Sequence, residues 1–306
     1  MDMYQKRKIR KEKRENSNQN EKFHKVVLNW YPGHMAKTKR EIKEKIGLID
    51  IVFEVLDARI PLSSKNKDID DIIKNKTRVI VMTKKDLCDL SETKKWKDYY
   101  EKLGYKVILT DLVHDGNLNE ILSVTNEIAN SMNAKRKEKG LKPRKVRILI
   151  LGVPNVGKST LINRLVKKKA TNVGNKPGIT KNLEWIRINK DLELLDTPGI
   201  LWPRLEGKNM SLNLASMTAI KEEILNREDV AIYIIQKMLE FYPEQFKARY
   251  KLDDSFDEIV PILDYIAKNI GAIKNEDIDY EKVYITILKD LRNGYIGGVT
   301  FDRYED

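Results

Sequence analysis

Apolar residues along this chain gather in short, almost unbroken blocks, set apart by longer polar stretches with helical spacing. The blocks are Asp50–Leu56 (DIVFEVL), Arg78–Met82, Lys106–Leu109, Val146–Leu151 (VRILIL), Leu183–Ile188 and Leu192–Leu195. Runs of this length predict buried strands rather than helices. Strands alternating with helical stretches predict an α/β fold, a mostly parallel sheet with helices on both faces. Beyond residue 204 such blocks cease. Val230–Phe241 is too densely apolar for a surface helix and predicts one packed against neighbours. Phe256–Ile270 and Tyr280–Leu291 carry helical spacing, with Pro261 near a first turn or a break. The pattern thus predicts an α/β half followed by a small all-helical C-terminal domain. Between Ala134 and Arg144 the chain is charged and holds Gly140 and Pro143, as an exposed connector would.

Three of the predicted strands end in residues with recognisable chemistry. After Val146–Leu151 comes Gly152-Val153-Pro154-Asn155-Val156-Gly157-Lys158-Ser159, the pattern GxxxxGK[ST] between a strand and the helical stretch Ser159–Leu165. Its glycines allow backbone N–H groups to turn in around phosphates, and the helix N-terminus adds its positive end. Asn155, Val156, Gly157, Lys158, Ser159 and Thr160 are the candidate nucleotide-binding residues here, with Lys158 on the terminal phosphates and the Ser159 hydroxyl on magnesium. Leu192–Leu195 delivers Asp196-Thr197-Pro198-Gly199 to the C-terminal edge of the sheet, where ligands of α/β folds bind. Asp196 is a candidate to hold the magnesium through water, and the Gly199 N–H a candidate partner of the terminal phosphate. Between them, Thr180 in Lys176-Pro177-Gly178-Ile179-Thr180 is a candidate second magnesium ligand, released when the terminal phosphate leaves.

The third strand end reads the base. Arg78–Met82 leads into Thr83-Lys84-Lys85-Asp86, an NKxD-like element with Thr in place of Asn. Asp86 can accept from both the ring N–H and the exocyclic amine of guanine, a pair adenine does not offer. Lys84 would lie along the base plane, while the Thr83 hydroxyl cannot copy both arms of an amide. No bracing loop for the guanine carbonyl is legible after Lys106–Leu109, where the chain reads Thr110-Asp111-Leu112.

These parts stand in an unusual order, because the base-reading tetrapeptide precedes the phosphate loop. The expectation is a circularly permuted P-loop GTPase domain, with its last three strands first and its first three strands after the connector. Permutation also routes the chain from Asp196–Gly199 through Trp202-Pro203 straight into the helical half, a short covalent path for a nucleotide-dependent change.

Composition narrows the setting. With 58 Lys and Arg against 46 Asp and Glu the chain carries a net +12, which favours a polyanionic partner. Its single cysteine, Cys88, excludes an intrachain disulfide and a multi-cysteine zinc site. No apolar stretch nears the roughly 20 residues needed to span a bilayer. The first 28 residues are basic and lack an apolar h-region, so no secretory signal is expected. They suit a disordered arm gaining phosphate contacts on RNA, or a solubilising tail. The expected division is an arm over 1–28, the GTPase domain over 29–204 and the helical domain over 205–306.

Trp30-Tyr31-Pro32-Gly33-His34-Met35-Ala36-Lys37, Asp57-Ala58-Arg59-Ile60-Pro61 and Gly152–Thr160, in this order with the elements above, resemble the RbgA/YlqF family. The resemblance runs from about Trp30 to the C-terminus. It implies a cytoplasmic, circularly permuted GTPase of late large-subunit (50S) maturation, its GTP hydrolysis stimulated by the ribosomal particle, and a helical domain contacting RNA. The partners expected are the large ribosomal subunit or its precursor, with its rRNA and ribosomal proteins, bound by a monomer. Thr83, where the family has Asn, and the long basic arm depart from the pattern.

Where Ras-type enzymes place a water-orienting Gln, this chain has Ile200, and an aliphatic side chain orients no water. Two candidates can replace it. His34, in the Pro-Gly turn, can act as an orienting or general-base group. Asn155 matches the asparagine that in related GTPases helps hold a potassium ion, which would supply charge beside the phosphates. Competing functions are a GTP-gated RNA-binding placeholder with negligible turnover, a small-subunit assembly GTPase, and a P-loop kinase. Asp86 disfavours the last.

Overall fold

A computed structural model describes residues 33–114, 118–166, 184–201, 207–220, 226–254, 256, 258–274 and 277–305. The first described element is helix α1 (Gly33–Lys45), whose Met35 and Ile42 are buried. Three strand–helix steps follow: β1 (Ile51–Asp57), α2 (Lys67–Ile73), β2 (Thr77–Thr83), α3 (Leu90–Lys102), β3 (Lys106–Leu109) and α4 (Leu118–Glu138). After the connector come β4 (Val146–Leu151), α5 (Lys158–Val166), β5 (Glu184–Arg187) and β6 (Leu192–Asp196). Every apolar block predicted as a strand is one, with ends shifted by at most one residue.

The six strands lie in the order β3-β2-β1-β4-β6-β5, parallel except for β5, which runs antiparallel to β6. Helices cover both faces, so β1 is buried at all seven positions. Its one charged residue before the strand end, Glu54, is tolerated there because Lys65 (3.1 Å) and Arg78 (2.9 Å) neutralise it.

Chain direction across the sheet reverses between the neighbours β1 and β4. From β1 the chain steps outward to β2 and β3; from β4 it moves the other way, to β5 and β6. Ligands of open α/β sheets bind at such a switch point, outside the C-terminal strand ends. Four adjacent strands therefore bring four sequence-distant residues to one edge: Thr83 on β2, Asp57 on β1, Gly152 after β4 and Asp196 on β6.

The remaining chain is helical: α6 (Gly207–Ser216), α7 (Arg227–Phe241), α8 (Pro243–Tyr250), α9 (Ile259–Asn269) and α10 (Tyr280–Arg292). One short ribbon, β7 (Ile273–Lys274) with β8 (Asp277–Ile278), joins the last two helices. As its dense pattern required, α7 buries Val230, Ala231, Tyr233, Ile234, Ile235 and Met238. Pro261 sits in the first turn of α9, where its missing N–H leaves no helical bond unmade. The connector begins later than expected, because α4 continues through Glu138 on a run of good helix formers.

Basic and aromatic residues interleave at Phe246, Lys247, Arg249, Tyr250 and Lys251, a pattern that suits either a packed helix with a charged face or a surface meeting RNA or a protein partner. Phe246 and Tyr250 are buried, and Lys247 and Arg249 pair with Asp254 and Asp290 at 2.7 and 2.8 Å. These rings belong to the core and cannot stack on bases.

The C-terminal residues return to the sheet half. The Val299 N–H donates to Leu87 O (3.0 Å) and the Phe301 N–H to Arg59 O (2.8 Å). The buried Asp302 carboxylate accepts from Ser63 N–H, Ser63 Oγ and Asn213 Nδ2.

Candidate functional site

The phosphate loop is locked between its neighbours by backbone contacts. A Cβ on Gly152 would lie 2.5 Å from Val55 O on β1, so only glycine lets the loop leave β4 here. On its other flank, a Cβ on Gly199 would lie 2.6 Å from Pro154 Cα. The Ile200 N–H donates to Gly152 O (3.1 Å), and the Thr197 hydroxyl donates to Ile150 O on β4 (2.6 Å). The Asp196–Gly199 loop is thus seated directly on the phosphate loop.

Within this cradle Lys158 opens α5, and its ammonium donates to Gly152 O (3.1 Å) and Val153 O (2.9 Å). Burial pushes its pKa down to about 8, with nearby Asp196 opposing that fall. A buried ammonium folded onto its own loop is a ready donor to phosphate oxygens. Ser159 follows it in the first turn of α5, and Asp196 is buried at the end of β6. Hydroxyl and carboxylate are hard oxygen donors, the set magnesium takes beside phosphates. Thr180 lies outside the described residues. Asn155 takes a left-handed backbone (φ 57°) and donates its Nδ2 to Thr218 O at 2.8 Å. Its amide oxygen is a hard donor, of the kind a cation such as potassium takes.

The base end is built from side chains. Thr83 is buried and its hydroxyl lies 2.5 Å from Val156 O and 3.2 Å from Leu56 O. Its role here is to tie β2 to the phosphate loop. Lys84 has a left-handed backbone (φ 61°), and its ammonium meets Asp57 Oδ2 at 2.7 Å. The same carboxylate is forked by Arg59, Nε at 2.9 Å and Nη2 at 2.8 Å. Burial works against the Asp57 charge, yet the two cations outweigh it and hold the carboxyl well below the usual range. Burial lowers the Lys84 pKa, with Asp57 opposing. Asp86 stands exposed in the single turn that follows.

Sequence reasoning missed the Asp57–Arg59 clamp, although an aspartate closing an apolar strand was the signal that located Asp196. It also left Thr110-Asp111-Leu112 unassigned. The structure folds this segment over the base loop, with the Thr110 N–H on Met82 O (2.8 Å) and the Lys85 N–H on Thr110 O (3.3 Å). The Thr110 hydroxyl is buried and makes no hydrogen bond among the described residues. Asp111 pairs with His114 (2.9 Å), and oxygen or nitrogen atoms of Asp86, Asp111 and His114 lie within 4.8 Å of one another.

Ile200 and Leu201 are buried, so neither meets water. His34 is not in a turn as expected: α1 begins at Gly33 and takes His34 into its first turn. The His34 side chain lies outside the described residues.

Strand order, phosphate loop and strand-end carboxylates together define a P-loop GTPase, an enzyme that hydrolyses GTP. The sequence matches the family described as "50S ribosome-binding GTPase" over residues 147–275 and that described as "RsgA GTPase" over 72–206. Ribosome biogenesis GTPase A of Bacillus licheniformis is 46% identical over 92% of this chain and 100% of its own length. A GNP-bound YlqF from T. maritima is similar in structure, with TM-score 0.61 at 26% identity over 88% of this chain and 99% of that one. A GDP-bound TM YlqF gives the same score over 87% of this chain. The chain belongs to the ribosome biogenesis GTPase A family.

Proposed function

We propose that this protein is a circularly permuted GTPase of late large-subunit maturation, whose hydrolysis is switched on by the ribosomal particle. The observation that carries the reading is the strand order. The base-reading strand β2 precedes the phosphate-loop strand β4 in sequence, yet both end at one sheet edge around the switch point. The match to a family described as 50S-binding, and relatives named for ribosome biogenesis, support the large subunit as partner. The net +12 supports an RNA-rich one. No helix among the described residues is long and apolar enough to cross a membrane. In this reading the protein works as a monomer on cytoplasmic ribosomes.

In this reading Val156, Gly157, Lys158, Ser159 and Thr160 bind the phosphates, Gly199 reports the terminal one, and Thr83, Lys84 and Asp86 hold the base. The Lys84 ammonium is anchored on Asp57, so its aliphatic stem is the part that lies against guanine. Ser159, Thr180 and Asp196 hold magnesium, which neutralises charge developing on the phosphates when bound. With Ile200 buried, His34 or an Asn155-held potassium ion completes the site, and the particle brings that completion about. The domains follow the expected division at residues 28 and 204. The helical C-terminal domain contacts RNA.

GTP turnover in potassium buffer, alone and with purified large or small subunits, tests this. Stimulation of tenfold or more by large subunits only is expected. Stimulation by small subunits instead would redirect the reading to that particle, and none with either subunit or with a large-subunit precursor would leave a gated RNA binder.

A further inference from the structure

Helix α6 begins eight residues beyond Gly199 and ends back at the phosphate loop. Its last turn closes with the Thr218 N–H on Ala215 O (3.0 Å) and the Ala219 N–H on Leu214 O (2.8 Å). This is the paired terminal motif in which the residue before the last donor is left-handed and usually glycine. Here that residue is Thr218, at φ 64°, a strained conformation for a β-branched side chain. Among the described residues only four non-glycine residues have positive φ, and two of them, Asn155 and Thr218, are joined by the 2.8 Å bond from Asn155 Nδ2 to Thr218 O.

The helix end presenting this carbonyl is fixed from several directions. Arg292 on α10 donates to Ser216 O (3.2 Å) and Ala215 O (3.3 Å). Further back on α6, Asn213 binds Ser63 Oγ (3.1 Å), Asp302 Oδ1 (2.8 Å) and the Tyr233 hydroxyl (2.8 Å). The acceptor is therefore the rigid partner and the phosphate-loop amide the oriented one. Rotating the amide by half a turn exchanges its nitrogen and oxygen, so a fixed carbonyl on the nitrogen decides which side the oxygen faces.

We propose that Thr218 is a positioning residue for GTP hydrolysis, its carbonyl setting the orientation of the Asn155 amide in the phosphate loop. Through it the helical half controls the cation-holding end of Asn155, and a shift of α6 releases that control. The inference rests on the reading of Asn155 as a potassium ligand.

The test uses the full chain and two substitutions at one position. Thr218→Gly keeps the left-handed turn and its carbonyl; Thr218→Pro forces φ negative and displaces them. The Asn155 side-chain amide resonances, assigned by their loss in Asn155→Asp, should exchange slowly with solvent in the parent and in Thr218→Gly. Thr218→Pro should abolish that protection, raise the potassium midpoint of turnover at least fivefold, and leave GDP affinity in sodium buffer within twofold. Thr218→Gly should retain the potassium midpoint and melt at a higher temperature than the parent. Parent-like protection or a parent-like midpoint in folded Thr218→Pro overturns the proposal. If Thr218→Pro does not fold, rapid exchange of the Asn155 amide in the parent overturns it equally. Should parent turnover be indifferent to potassium against sodium, the cation reading falls alone. The positioning role is then judged on kcat, reduced in Thr218→Pro if it stands and unchanged if it does not.

Discussion

The phosphate end and the base end of this site are built by different means. At the phosphate end, consecutive residues of one loop are held by backbone contacts, and shape is set by where a Cβ cannot fit, as at Gly152 and Gly199. At the base end, the tetrapeptide depends on partners from elsewhere in the chain: the Asp57 carboxylate on Lys84, itself forked by Arg59, the Val156 carbonyl that accepts from the Thr83 hydroxyl, and the returning Val299 N–H on Leu87 O just beyond it. The first kind of site is inherited from local sequence and tolerates little change. The second is a relay of ion pairs and hydrogen bonds, and each link can be removed singly.

Breaking the relay at its centre should have the largest effect. Asp57→Asn leaves Arg59 and Lys84 without their carboxylate, and loss of one partner from a buried pair costs about 3–5 kcal/mol. Urea denaturation at pH 7 reads this. Because the folded pKa of Asp57 is depressed, its contribution is present above the unfolded value near 4 and fades as pH falls below it. The acid limb of the stability profile should therefore flatten in Asp57→Asn; an unchanged limb would remove Asp57 from the relay's electrostatics.

Next comes the phosphate end itself. Lys158→Ala should lower kcat on the order of a hundred- to a thousandfold, as loss of one preorganised charged donor does, while the melting temperature changes little or rises. Single-turnover GTP hydrolysis gives the first figure and calorimetry the second.

A smaller effect follows from pH. With Lys158 at about 8 in the free protein, bound phosphates would raise that value, so binding above pH 8 requires proton uptake. GDP affinity should be flat from pH 6.5 to about 7.5 and then fall by up to about tenfold per unit. Titration calorimetry in two buffers of different ionisation enthalpy detects the proton; affinity level to pH 9.5 would contradict the buried cation.

The mildest break is Thr83→Val, which keeps the shape and removes the hydroxyl that ties β2 to the phosphate loop. Loss of one neutral hydrogen bond, about 1 kcal/mol, should weaken GDP binding roughly fivefold. Thr83→Asn sharpens the comparison: tighter GDP binding than the parent would show that the threonine trades affinity for the tether.

Legibility follows the same division. The strands, the phosphate loop and Asp196 could be read directly, because apolar runs and a Gly-Lys-Ser turn carry their geometry within a few residues. The β-rich run before Thr83 located the base loop too, but its supports could not be read. Asp57, Arg59 and Val299 are ordinary residues until the sheet brings them to Lys84 and Leu87. Phe246 and Tyr250 show the converse, since an aromatic-basic spacing that suited RNA is spent on core and ion pairs.

By itself, the sequence determined the α/β and helical halves, the guanine-nucleotide chemistry and the order of its parts, all of which depend on periodicity and short-range sterics. The tertiary structure alone decided that Asp57 clamps Lys84, that Thr83 is a tether, and that Thr218 meets Asn155. Those contacts join residues 27, 73 and 63 positions apart. Nothing in a local pattern encodes such partners; they are fixed by which strand ends and helix ends the packed core brings to one edge.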